Sequence, residues 1–112
     1  MAEELLAVVH ALREARERPV EGDALRRWQD WVEAQPPTPE RERALAWVFL
    51  ARAEALLAQG KVREAWAPMI SAYSYARTVR ESEVFLRATE GLEKLAAARE
   101  PRPARGKRRR SR

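Results

Sequence analysis

The sequence predicts an all-α fold of four to five helices in antiparallel hairpins, followed by a basic tail that is disordered on its own. Three observations carry this. Apolar residues recur at i, i+3, i+4 and i+7 through most of the first 98 positions. Aliphatic β-branched residues are scarce, eight valines and the single Ile70, so strands have little to be built from. The periodicity then stops, and Pro-Arg-Pro-Ala-Arg-Gly-Lys-Arg-Arg-Arg-Ser-Arg closes the chain with no apolar repeat. At 112 residues there is room for one core, which gives a helical domain over 1–98 and a tail over 99–112.

The first helix is expected from about Ala2 to Glu17, with Leu5, Val8, Val9 and Leu12 in one stripe. Pro19 and Gly22 break it, and Asp23 offers an N-cap to a second helix with Ala24, Leu25, Trp28, Trp31 and Val32 on one side. The run Gln35-Pro36-Pro37-Thr38-Pro39 stops that helix, because proline disfavours helical geometry in the residue before it. Thr38-Pro39-Glu40 then combines a hydroxyl cap, a proline whose missing N–H costs nothing in a first turn, and an acid facing the helix dipole. A third helix begins there and ends at Gly60, placed as a left-handed residue just past the helix.

That third helix is apolar on two sides. Leu45, Val48, Phe49 and Leu56 form one face; Trp47, Leu50 and Leu57 form another, roughly 140–180° away. Such a helix is either central to the core or lends one side to a partner. A fourth helix from Lys61 carries Val62, Ala65, Trp66, Met69, Tyr73 and Ala76, with Pro68 opposite the stripe and expected to bend it. Thr78-Val79-Arg80-Glu81 has the form of a capping box, which places a fifth helix from about Val79 to Ala98 with Phe85, Ala88, Leu92, Leu95 and Ala96 inward. No Gly or Pro lies between Pro68 and Gly91, so the separation of these last two helices stays open.

From Arg41 to Thr78 the sequence resembles one unit of the tetratricopeptide repeat family, an antiparallel helix pair with small residues where the helices cross. Gln59-Gly60-Lys61 with Glu64-Ala65 matches the inter-helix turn. Ala53, Ala65 and Ala72 fall on the small crossing positions, and Phe49, Leu56 and Met69 on larger packing ones. Arg52 stands where the family has an aliphatic residue, and Arg77 where it often has proline. An earlier unit over 3–36 would place Ala24 against Ala65 at a spacing of 41 rather than 34. A generic five-helix bundle would satisfy the same alanine-rich hairpins. The resemblance implies a concave, peptide-receiving groove faced by Trp47, Leu50, Glu54 and Leu57.

Chemistry is sparsely foreshadowed. There is no cysteine, which excludes disulfides, thiolate metal sites and cysteine nucleophiles. His10 is the single histidine, lies about 140° from Leu5 and reads as a surface residue. No Glu-x-x-His pair, phosphate-cradling glycine loop or nucleophile–base arrangement occurs, so the reading is non-enzymatic, with no metal and no cofactor. Glu83 with Arg87 and Glu90 with Lys94 read as solvated i, i+4 ion pairs. Trp28 and Trp31 would suit base stacking, although their spacing with Leu25 and Val32 favours the core. Arg52, flanked on its stripe by Val48, Phe49 and Leu56, needs a carboxylate partner if buried. The longest apolar run, Ala44 to Ala51, is eight residues against the roughly 20 a membrane helix requires. The N-terminus lacks the basic region of a secretory signal, so a cytoplasmic protein without a membrane partner is expected.

Charge is the strongest functional signal. Residues 99–112 hold eight Lys/Arg against Glu100, a net of +7, while Met1 to Ala98 carries 14 basic and 16 acidic residues, a net of −2. Arginine outnumbers lysine 19 to 3, which favours bidentate phosphate contacts, and the absence of Asn and Cys fits a thermophile-like composition. Arg102, Arg105, Lys107, Arg108, Arg109, Arg110 and Arg112 are therefore the candidate nucleic-acid contacts, with RNA slightly ahead of DNA. A solvated tail without a target is the plainer reading. The alternative function is a protein–protein adaptor, or a homo-oligomer, that uses the Trp47, Leu50, Glu54 and Leu57 face.

Overall fold

A computed structural model describes residues 2–14 and 22–99. Among them are five helices and no strand: α1 (Ala2–Glu14), α2 (Gly22–Glu33), α3 (Pro39–Ala58), α4 (Val62–Val79) and α5 (Ser82–Arg99). The expected extension of the first helix to Glu17 lies outside the described residues, as does the tail beyond Arg99. No described helix is long and apolar enough to cross a membrane.

The strongest local signal in the sequence is realised. Thr38 has extended backbone geometry, its Oγ1 accepts the Arg41 N–H at 3.2 Å, and Pro39 opens α3. At the other end Gly60 sits at φ +78°, with its N–H on the Leu57 carbonyl at 3.0 Å and that of Lys61 on the Leu56 carbonyl at 2.9 Å. This paired closure satisfies the last carbonyls of α3 and turns the chain directly into α4. Asp23, expected as a cap, instead lies within the first turn of α2, where its charge still favours the helix dipole. No basic residue occupies the last turn of α2, and Arg41 supplies one from outside by donating from Nη2 to the Glu33 carbonyl at 3.1 Å.

The junction of α4 and α5 departs from expectation. Thr78 is not the cap of a fifth helix; it is the penultimate residue of α4, and its hydroxyl donates to the Ser74 carbonyl. The break falls at Arg80, a non-glycine residue at φ 60° and ψ 42°. Its N–H and that of Glu81 both reach the Ala76 carbonyl, so the turn resembles the one at Gly60 without the glycine. With α5 beginning at Ser82, its buried line runs through Val84, Ala88, Gly91 and Leu95, and Ala96 is exposed rather than inward. Pro68 is buried rather than on the outer side, because α4 is flanked by both α3 and α5.

Helix α3 touches all four others. α1 runs in the same direction, with Leu5 and Val9 beside Glu40 and Arg43, and Arg13 over Trp47. The start of α2 lies against the end of α3, and the two hairpin turns make α4 antiparallel to both α3 and α5. α1, α3 and α5 thus run in one direction, and α2 and α4 run against them. The core is drawn from all five helices, and Ala53, Ala65 and Ala72 are wholly buried on the α3 and α4 hairpin. Phe49 stacks on Tyr75 across that hairpin, and Tyr73 meets Phe85 across the next. Trp28 packs partly buried against the core, whereas Trp31, expected inside, is exposed.

Two substitutions test the junctions. Gly91→Ala in a helix interior would ordinarily gain about 1 kcal/mol. Here a Cβ would lie 2.2 Å from Met69 Cε and 2.7 Å from its Sδ, on a side chain that is fully buried. The change should therefore cost about 1–3 kcal/mol in urea unfolding, with most of that loss recovered when Met69 is also made smaller. Arg80→Gly should stabilise by up to about 1 kcal/mol, the left-handed penalty relieved less the extra freedom of the unfolded chain.

Candidate functional site

The second apolar face of α3 is where sequence reasoning placed a partner, and it is closed. Trp47 and Leu50 are each 1% exposed, Leu57 is half-buried against the core, and the Glu54 carboxylate is held by a cation of α5. The reason is geometric. α1 and α5 flank α3 on this side, so an element of the same chain covers the face the sequence left open to a partner.

What lies there is a polar cluster built around the Trp47 indole. Its N–H donates to Glu81 Oε2 at 2.8 Å, and Arg43 Nε stands 3.4 Å from Glu81 Oε1. Arg13 from α1 and Arg87 from α5 each place a guanidinium carbon over the indole ring, at 5.7 Å and 5.6 Å. Both positions are within range of a cation–π attraction. Arg87 then grips Glu54 in two-pronged fashion, Nη2 at 2.6 Å and Nε at 3.2 Å, while Nη1 reaches Glu83 at 3.3 Å. Arg13 meets the other oxygen of Glu83 at 3.2 Å.

Three guanidiniums therefore face three carboxylates around one aromatic ring. The set is electrically balanced, and its hydrogen bonds are made internally, so it joins helices rather than awaiting a ligand. The expectation that Glu83 and Arg87 form a solvated pair is corrected here. Arg87 is only 14% exposed, and its main partner is Glu54 of α3, 33 positions earlier in the chain. Glu90 and Lys94 remain exposed. Sequence reasoning missed Glu81 and Arg13 because they lie outside α3, at the α4–α5 junction and on α1, whereas Arg43 stands one turn before Trp47 and was passed over. The available signal was the indole itself, since a buried tryptophan N–H usually finds an acceptor.

Arg52, the cation on an apolar stripe, is half-buried, so that stripe reaches the surface beside it. Its Nη1 donates to the neutral Gln29 side chain rather than to a carboxylate, and it lines an open cleft with Asp23, Arg26, Leu56 and Gln59. A second cleft lies between the start of α4 and the end of α5, lined by Val62, Arg63, Trp66 and Ala98. His10 is exposed. Among the described residues no group of three His, Asp or Glu is placed to hold a metal ion. The candidate nucleic-acid contacts Arg102, Arg105, Lys107, Arg108, Arg109, Arg110 and Arg112 lie outside the described residues.

No family model, curated protein or solved structure matches the chain.

The cluster makes an ordered prediction. Arg87→Met leaves Glu54 and Glu83 without their shared cation and should cost about 1.5–3 kcal/mol. Arg13→Met removes a half-exposed ion pair and should cost under about 1 kcal/mol. Urea unfolding of both variants checks the order, and a larger loss at Arg13 would contradict the account. Leu50→Glu, which places a charge in the core, should abolish cooperative unfolding altogether.

Proposed function

We propose that this chain is a small non-enzymatic helical interaction module held on nucleic acid by its arginine-rich C-terminal segment. The observation that carries the reading is the separation of charge, +7 over residues 99–112 against −2 over Met1 to Ala98. A segment of this composition binds phosphate backbones by releasing counterions and does not read base sequence. Its cations are nearly all arginine, whose planar fork suits phosphate oxygens and whose face stacks on bases, which favours RNA slightly over duplex DNA. The self-contained cluster around Trp47 is consistent with a body that contributes shape rather than chemistry.

A protein-binding role for the body is the second reading. It is favoured by the order of the hairpins and by the fully buried Ala53, Ala65 and Ala72, the positions at which a tetratricopeptide-like pair would cross. Such an adaptor would have to work without Trp47 and Leu50, which are spent inside the molecule.

Mobility shift of the full-length protein beside a chain ending at Ala98 tests the leading reading. The full-length protein should bind RNA and duplex DNA, and the shortened chain should not. If all eight cations engage duplex DNA, the slope of log K against log salt should approach about −7, and a single strand should give a shallower one. Equal binding by both chains at moderate salt would defeat the proposal.

A further inference from the structure

We infer that the nucleic-acid footprint does not stop at the C-terminal segment but continues onto the end of the body from which that segment departs, with Arg26, Arg27, Arg52, Lys61, Arg63 and Lys94 as its landing surface. This rests on the reading proposed above and adds the part of the folded domain that would take part.

The helix directions bring these residues to one end. The α3–α4 turn at Gly60 sets the end of α3 beside the start of α4, and the cleft of Val62, Arg63, Trp66 and Ala98 joins the start of α4 to the end of α5. The cleft of Asp23, Arg26, Arg52 and Gln59 adds the start of α2 to the same end. Residue 100 follows directly on α5, so the basic segment begins at this end of the body and not at the other.

The balance of charge separates the two ends further, because the unpaired Arg77 and Arg80 of the opposite end share it with Glu3, Glu33, Glu40 and Glu42. On the Trp47 side Arg13, Arg43 and Arg87 are neutralised by Glu83, Glu81 and Glu54. Among the described residues none of the six cations of the landing surface forms an ion pair, and Arg52 alone is held, by neutral Gln29. The carboxylates at this end are Asp23, Glu54, Glu64, Glu90 and Glu93, of which Glu54 is already bound by Arg87, leaving four against six cations. Helix dipoles do not decide the sign, because two N-termini and two C-termini meet there. A net excess of unpaired cations therefore adjoins the origin of a strongly cationic segment, and a polyanion held by the one is steered over the other.

The test uses the full chain and an internal control. Arg26→Gln with Arg63→Gln removes two exposed cations from the landing surface, and Arg77→Gln with Arg80→Gln removes two exposed, unpaired cations from the opposite end of α4. Both pairs lower the net charge equally and leave the core untouched, with far-UV circular dichroism confirming the helices. Anisotropy of a labelled oligouridylate is followed against each protein across a salt series. The first pair should flatten the slope by about 1.4, two contacts at roughly 0.7 each for a single strand, and the control should keep the wild-type slope. Equal slopes in the two double variants, whether both unchanged or both flattened, would remove the landing surface while leaving the tethering reading in place. Failure of the wild-type protein to bind the oligonucleotide at all would remove both.

Discussion

The indole nitrogen of Trp47 carries a proton that must be accepted inside the core, and much of the arrangement follows from where the acceptor comes from. An unmet donor at a site 1% exposed would cost about 1–3 kcal/mol, a large fraction of the stability of a domain this size. The acceptor, Glu81, is delivered by the junction of α4 and α5. To place its carboxylate there the chain must leave α4 at Val79 and re-enter a helix at Ser82. That demand is met by Arg80 in a left-handed conformation that glycine would adopt more easily. The strain has evident compensation. Glu81 closes the Ala76 carbonyl with its N–H, takes the indole proton with one oxygen and faces Arg43 with the other.

The same cluster explains why the ends of α3 and the end of α4 are read so differently from sequence. Thr38-Pro39 and Gly60 are local devices, in which the residue that causes the structure is the residue that shows it, and both were legible. Arg80 carries no glycine to announce its left-handed turn, and the Trp47 contact that the next residue makes lies more than thirty positions away, outside any window around it. The capping-box pattern at Thr78 was a plausible local signal overruled by a tertiary one. That displacement shifted the expected start of α5 by three residues. The expected inward line was moved with it, so Ala96 was included while Val84 and Gly91 were not.

Periodicity identified both apolar faces of α3 but could not say what covers them, since a covering helix from the same chain and one from a partner leave the same pattern. The deciding facts are the direction of α1 and the placement of α5, neither of which is written in α3. Pro68 followed the same logic. A single stripe on α4 was visible, but α4 lies between two neighbours and buries a second side. Trp31 erred in the other direction, since its spacing suited the core while, among the described residues, α2 packs closely only on α3 and leaves that side uncovered. The sequence was most legible where one residue acts on its own backbone, and least where a face must be matched to a particular neighbour.

The distribution of pairing bears on how the proposed module would be held. A cationic segment by itself binds strongly at low salt but does not orient what it carries, because counterion release fixes neither register nor orientation. Contacts from a folded surface remove that freedom, and they require cations that the fold has not already spent. In this molecule the balanced ion pairs are gathered around Trp47, where they hold α1, α3 and α5 together, and the unpaired cations at the other end carry no such structural duty. The division lets surface charge be used for binding without loosening the core. It also means that salt strong enough to release a polyanion would screen the exposed landing surface long before it weakened Arg87, whose guanidinium is mostly shielded from solvent.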